Sequence, residues 1–528
     1  MKNRMTLFVT LFLTLQSSLI LLAPSAYAEI EQTYFCDDKL GDTPIRQGGR
    51  VKPLYVHAVD MMKYLTGKKG YENLSAVQTY CLLSLKGMSL KSDIKLAARV
   101  DHVEAQEYFD LPEGQKTILF DDLIERIRDL QIETRRIKEE TAYKKAMTKL
   151  LNQTGLYQEI IQGNNWLLPA VTGNRTDWIP ITSFLREDKI LEAKANQAQS
   201  PFQKVIFDEV ERFDKITDAP YHLEYKYAKA RLPIIAMMIT FLALITLTIF
   251  KKFTATLILA GITIALQLAL ITIRVLISGR APITNMYETV MFSGFGALFL
   301  SMLIGHFKKE KAFIYVGLMF NACTLMMMNF ATGMLSDAIS PLVPVLRDNF
   351  WLSTHVTTII LSYGALALSW IMANTVLIKS SFGKLTKADE VYYSDLIYTI
   401  LKYGTIMLGA GIILGGVWAD YSWGRFWGWD PKETWSLIAF VIYMAILHGR
   451  YTNWIPNSRF IPLVAGAFMS IMMAWFGVNY ILASGLHSYG FSEGGAIFLG
   501  SFFLAQTLII IITTLKSNLS KTVVQAHE

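Results

Sequence analysis

The chain has 528 residues, of which 52% are hydrophobic and 18% charged, and a formal net charge of +7. That balance excludes one uniform soluble domain and fits a membrane half joined to a polar half. Its three cysteines form no C-x-x-C, which excludes a zinc finger or a thiol-redox motif, and no nucleic-acid-binding motif accompanies the positive charge.

Residues 1–28 carry Lys2 and Arg4 ahead of an apolar run ending in Ala26-Tyr27-Ala28, a small-x-small pattern. A signal peptide is expected here, with an uncleaved anchor as the alternative, and either one puts the next segment outside the cytoplasm. Residues 29–231 are then an extracytoplasmic domain, expected to be mostly helical. "DDLIERIRDLQIETRRIKEETAYKKAMTKLLNQTGL", from Asp121, keeps apolar residues at three- and four-residue spacing, as an amphipathic helix or helical hairpin does. Cys36 and Cys81 fall where a disulfide is permitted, whereas Cys323 sits in an apolar run and suits packing.

From Leu232 the character changes. Nine apolar runs, centred near Thr240, Ile264, Ala297, Phe320, Ala365, Gly409, Val441, Met472 and Leu504, are long enough, or nearly so, to cross a hydrocarbon core. The run around Val441 is the shortest, and Asp430-Pro431 marks its helical start. Basic clusters follow alternate runs: Lys251-Lys252, "HFKKEK", "KSSFGKLTK", "HGRYTNWIPNSR" and "KSNLSK". The positive-inside rule makes these loops cytoplasmic. The expected fold class is therefore mainly α: a polytopic membrane helix bundle of about nine crossings, N-outside and C-inside. Its first transmembrane helices occupy 232–350 and a ligand-handling region occupies 351–528.

The outer loops collect the unusual residues. His355 lies at the outer start of the fifth crossing and His487 just outside the eighth, while His448 lies near the inner end of the seventh. His306 opens a basic loop and reads as a flanking residue. Ionisable groups within membrane helices are costly and point to function. Two neutral imidazoles at one depth, either side of an aromatic shelf, are what a bis-histidine haem site needs. Zinc would want cysteine or H-E-x-x-H spacing, which is absent, and quinone binding stays open as an alternative. His448 is about one membrane thickness away, so a ligand held there and at the outer pair occupies two successive positions.

The stretch 417–437, "VWADYSWGRFWGWDPKETWSL", holds Trp418, Trp423, Trp427, Trp429 and Trp435 around Asp430. Indole faces suit a planar ligand, while an aromatic belt at the membrane interface would be dispersed over all helix ends. Gly424 and Gly428 permit close backbone approach or sharp turning. Asp430-Pro431 and Glu433 mark a helix start, and Arg425 and Lys432 can pair with ligand carboxylates or face solvent.

"WGRFWGWDPKETWSLI" followed by "ILHGR" resembles the tryptophan-rich WWD signature of haem-handling proteins, in the CcsA/ResC family of cytochrome c biogenesis (System II). "GRAPITNMYETVMF", "PVLRDNFWLSTHVTTIILSYGALAL" and "GLHSYG" match further family segments in order, so the resemblance covers roughly Arg274 to the C-terminus. It implies a haem lyase in the bacterial cytoplasmic (inner) membrane. Haem b, as substrate, would pass from His448 to His355 and His487 over the WWD loop. The tryptophans Trp418, Trp423, Trp427, Trp429 and Trp435, with Asp430, would contact it, and no residue is assigned an acid–base role. Thiols of a C-x-x-C-H motif in an apocytochrome c would then add to the haem vinyl groups. The implied partners are the apocytochrome, a ResB/CcsB-like membrane subunit, a thioredoxin-like reductant and the lipid bilayer. A haem exporter that serves a separate lyase is the alternative, and a quinone-linked electron-transfer subunit lacks the histidine pairs it would need. "GRVKPLYVHAVDMMKYLTGKK" resembles a segment of larger fused versions of the system, and its His57 is expected at the surface.

Overall fold

The computed structural model describes residues 36–86, 94–139, 141–185, 201–341, 348–383, 385–482 and 495–525. The expected signal peptide (1–28) and His487 lie outside the described residues. The chain divides into two compact units, one ending at Tyr225 and the other beginning at Lys226.

The first unit packs helices with three two-stranded antiparallel sheets, so it holds strands that the helical reading did not anticipate. β1 (Pro44–Gln47) pairs with β2 (Arg50–Pro53) across Gly48-Gly49, both at positive φ. Such a two-residue turn matches the twist of the flanking strands. β3 (Ala97–Arg99) pairs with β4 (Thr117–Leu119), and β5 (Leu167–Thr172) with β6 (Arg175–Pro180) across Gly173-Asn174. Helix α1 (Leu54–Thr66) follows β2 directly, and α2 (Ala76–Ser84) starts at a Ser75–Gln78 capping box. The amphipathic stretch begins in a short helix, Phe120–Glu125, and continues through α3 (Ile127–Arg136) and α4 (Ala142–Ile161).

Cys36 and Cys81 form a buried disulfide that ties the segment before β1 to α2. His57, expected at the surface, is instead fully buried. Leu54, His57, Ala58, Met62 and Leu65 recur at three- and four-residue spacing, so the imidazole shares the inward face of α1. Its Nδ1 lies 2.8 Å from Gln47 Oε1, and its Nε2 lies 2.9 Å from the Tyr80 hydroxyl and 2.8 Å from Asn165 Oδ1. Those partners make a buried histidine tolerable. Burial, with the charge of Lys52 adding to it, lowers the His57 pKa to about 3.

The second unit is mainly α. Its helices are α5 (Leu232–Thr248), α6 (Phe253–Ser278), α7 (Met286–Lys308), α8 (Lys311–Phe330), α9 (Asn349–Ser381), α10 (Lys387–Trp423), α11 (Pro431–Tyr451), α12 (Asn457–Leu482) and α13 (Gly495–Gln525). Each expected apolar run is centred in one of them. Eight helices among the described residues are long and apolar enough to cross a membrane, and α11 is not in that set. Its polar, tryptophan-bearing start and basic end dilute a 21-residue helix.

A continuous core of Leu, Ile, Phe, Met and Ala side chains runs between α7, α8, α9, α10, α11 and α12. Inside it, Arg274 of α6 is completely buried and pairs with Glu288 of α7 at 2.7 Å. The other Glu288 oxygen accepts from the backbone and hydroxyl of Thr284, both at 2.8 Å. Arg274 also donates to the Asp337 carbonyl at 3.1 Å. One buried ion pair thus fixes the loop between α6 and α7, because neither charge has water to fall back on.

Candidate functional site

The site is built where five helix ends meet a loop. A cavity of about 170 Å³ is lined by Thr284 and Asn285 ahead of α7 and Met286 at its start, by His355 and Tyr363 of α9 and by Gly415, Gly416 and Trp418 of α10. Trp427 of the α10–α11 connection, Lys432 and Glu433 of the first turn of α11, and Trp475 and Asn479 of α12 also line it. Ile359, Ile360 and Ile412 give it apolar walls.

His355 sits in a π-helical stretch, Leu352–Val356, within α9. Trp475 and Asn479 sit in a second such stretch, Met473–Leu482, within α12. Widened turns of this kind are rare and collect at functional sites, and here both face one cavity. The His355 Nδ1 lies 2.9 Å from the Gly411 carbonyl oxygen. A carbonyl can only accept, so Nδ1 carries the proton and Nε2 holds the lone pair of the neutral ring. An added Cβ on Gly415 would lie 2.6 Å from His355 Cε1, so glycine is what lets the imidazole rest on α10. The Trp418 ring stands 5.8 Å from the His355 ring, centre to centre. Its buried Nε1–H has no hydrogen-bond partner among the described residues.

The loop between α10 and α11 is tied down by its own charges. Asp430 is the N-cap of α11 and forms a reciprocal capping box with Glu433. Glu433 accepts from the backbone amides of Gly428 at 2.7 Å and Asp430 at 3.2 Å, and from Arg425 at 3.2 Å. Arg425 also lies over the Trp423 ring at 5.6 Å. Arg425, for which a ligand carboxylate or solvent were both open, thus pairs with Glu433 of its own loop. Trp429 is exposed and has φ +56°, an uncommon conformation for a bulky residue that marks strain.

The expected residues separate accordingly. His355, Trp418 and Trp427 line the cavity. Trp423 packs with Arg425, Trp429 points outward against Trp427, and Asp430 caps α11. Trp435 packs partly buried against the helical core. His448 lies far down α11, exposed, with Nδ1 2.8 Å from the Met444 carbonyl oxygen. At 1.5 Å per residue it is about 26 Å along the helix from Pro431. Sequence reasoning missed Trp475, whose Nε1 donates to Thr289 at 3.1 Å and whose ring lies 5.6 Å from that of Tyr363. It lies in an unbroken apolar run, where periodicity does not distinguish a cavity wall from core.

The donor set fits haem as a ligand: a cavity-lining imidazole whose Nδ1–H is held by a backbone carbonyl, indole walls, and a buried indole N–H with no hydrogen-bond partner among the described residues. The cavity is smaller than the roughly 300–1,000 Å³ that encloses a drug-sized ligand, so a porphyrin would stand partly outside it.

Fold and site together define a polytopic α-helical membrane protein with a histidine- and tryptophan-lined cavity where its helix ends converge. The cytochrome C assembly protein family matches residues 283–487, a span that contains every residue lining this cavity. The cytochrome c biogenesis protein CcsA of Chlamydomonas reinhardtii is 35% identical over 241 residues, covering 44% of this chain and 68% of the relative. CcsA of Guillardia theta is 33% identical over 255 residues, covering 42% and 83%. CcsA of a Prochlorococcus marinus strain is 34% identical over 270 residues, covering 44% and 81%. The chain belongs to the CcsA family of cytochrome c biogenesis proteins.

Proposed function

We propose that this protein carries haem across the cytoplasmic membrane and attaches it covalently to the C-x-x-C-H motif of an apocytochrome c on the outer face. The observation that carries this reading is His355: a tautomer-fixed imidazole lining an aromatic cavity within the family match. His487 is the proposed second axial ligand, and His448 an earlier holding position nearer the cytoplasm. Trp418 and Trp427 supply flat walls, and Lys432 a cation for a propionate. The remaining tryptophans, Trp423, Trp429 and Trp435, and Asp430 are proposed to shape the WWD shelf around the ligand. His355 and His487 would hold the iron, and a cavity too small to enclose the porphyrin would leave the vinyl edges accessible to thiols. Catalysis is then mainly positioning, with the haem supplying the reactive vinyl groups. The buried Cys36–Cys81 disulfide supports an oxidising, extracytoplasmic location for the first unit.

A ResB/CcsB-like subunit and a thioredoxin-like reductant are the proposed partners, in a bacterial cytoplasmic membrane. The test is co-expression with an apocytochrome reporter and a ResB-like partner in cells that lack their own pathway. Covalent haem on the reporter, reduced at least tenfold by His355→Ala or His487→Ala, is expected. A reporter that stays bare while the purified protein carries haem would instead favour a haem exporter.

A further inference from the structure

A second cavity, of about 480 Å³, opens where α5 and α7 end, α8 begins, and α9 approaches the start of α10. Lys309, Lys311 and Lys379 line it with one acid, Glu310, whose carboxylate accepts from the Tyr392 hydroxyl. None of the three lysines is ion-paired among the described residues. Lys311 sits 4.9 Å over the Phe253 ring, and Lys379 sits 5.3 Å over Tyr393, itself a lining residue, so an aromatic face holds each ammonium group. Lys309 caps the end of α7 with φ +57°, a left-handed turn that stops the helix at the cavity. Deeper in, Leu247, Val316, Met372 and Val376 make the lining apolar. Ile249, Phe250, Phe307 and Phe382 stand exposed at the same helix ends.

A basic mouth over an apolar floor, with bare aliphatic and aromatic side chains beside it, matches one ligand chemistry: an anionic head on an acyl chain. A soluble anion would not need the apolar rim. We propose that this cavity binds the headgroup of an anionic phospholipid, phosphate against Lys309, Lys311 and Lys379, with acyl chains along the exposed residues. Basic pockets between membrane helices take such headgroups, and each cation near the phosphate is worth about a fivefold change in occupancy. Met286 and Lys308 bound α7, about 33 Å apart, so this site and the His355 cavity lie at opposite ends of one helix. A lipid here clamps α5, α7, α9 and α10 together at the end remote from the chemistry.

The test uses the full-length protein, delipidated in neutral detergent. Its melting temperature is followed against short-chain phosphatidylglycerol, short-chain phosphatidylcholine and inorganic phosphate. Phosphatidylglycerol should stabilise the wild type and a Lys251→Gln/Lys252→Gln control equally. The Lys309→Gln/Lys311→Gln/Lys379→Gln variant should bind it on the order of a hundredfold more weakly. Should that variant not fold, Lys379→Gln alone should weaken binding about fivefold. Equal stabilisation by phosphatidylcholine, equal stabilisation by inorganic phosphate, or unchanged affinity in the lysine variants would each overturn the proposal.

Discussion

Gly415 governs the imidazole at the site more directly than any residue beside it in sequence. A methyl group there meets the ring of His355 at 2.6 Å, and the ring is what has to yield. Gly415→Ala should therefore lower haem co-purifying with the protein by about tenfold or more, as displaced supporting groups do at metal sites. Unchanged haem absorbance per mole of protein would show that the ring does not depend on this contact. The Arg274–Glu288 pair gives a second residue-scale prediction. Arg274→Met leaves Glu288 buried without its cation and should destabilise the second unit by about 3–5 kcal/mol, while Arg274→Met with Glu288→Leu should recover most of that. Thermal unfolding of the two variants distinguishes a pair that stabilises from one that only punishes its own disruption. His355 was legible in the sequence because a histidine beside an apolar run is rare. Gly415 was not, because its importance depends on which helix lies against it.

At the scale of elements, α1 shows how a regular pattern hides a buried polar group. The helix places His57 inward among Leu54, Ala58 and Met62, where Gln47, Tyr80 and Asn165 meet it. Its folded pKa, about 3, lies below the ordinary 6.5, so between those values the folded state binds fewer protons than the unfolded. The contribution is complete above pH 6.5 and is lost as pH falls toward 3, by up to about 5 kcal/mol. Melting curves of the wild type between pH 7.5 and 4.5 should fall more steeply than those of His57→Gln, and parallel curves would refute the assignment. Eight of the helices were legible as crossings because their apolar runs are long and lie between charged or polar breaks, whereas the run of α11 is short and that helix is not apolar enough to join them. The two-stranded sheets were not legible, since strands of three to six residues carry too little alternation to stand out beside helical neighbours.

For the whole molecule, the separation of a polar unit from a helical one follows composition, and the sequence reading drew it at Arg231 where the compact units divide after Tyr225. The WWD loop was legible as a concentration of indoles, and its capping box from Asp430, Pro431 and Glu433. The sequence did not say which indoles face the cavity, because that depends on the turn at Trp429 and on Arg425 lying against Glu433. It also concealed Trp475 and Asn479, since they meet Thr289 and Met286 across more than a hundred and eighty residues of sequence, a contact made only in the folded bundle.

The two π-helical stretches carry a consequence for how such a chain can change. Each widened turn holds a surplus residue relative to the regular helix around it. Removing one residue from Leu352–Val356 would restore a uniform α9 and rotate everything upstream by about 100°. A shortened Met473–Leu482 would likewise turn Trp475 relative to the rest of α12. Here length is constrained as tightly as side-chain identity: a one-residue deletion in either wall, invisible to a reading of composition, would take the cavity apart while leaving every helix intact.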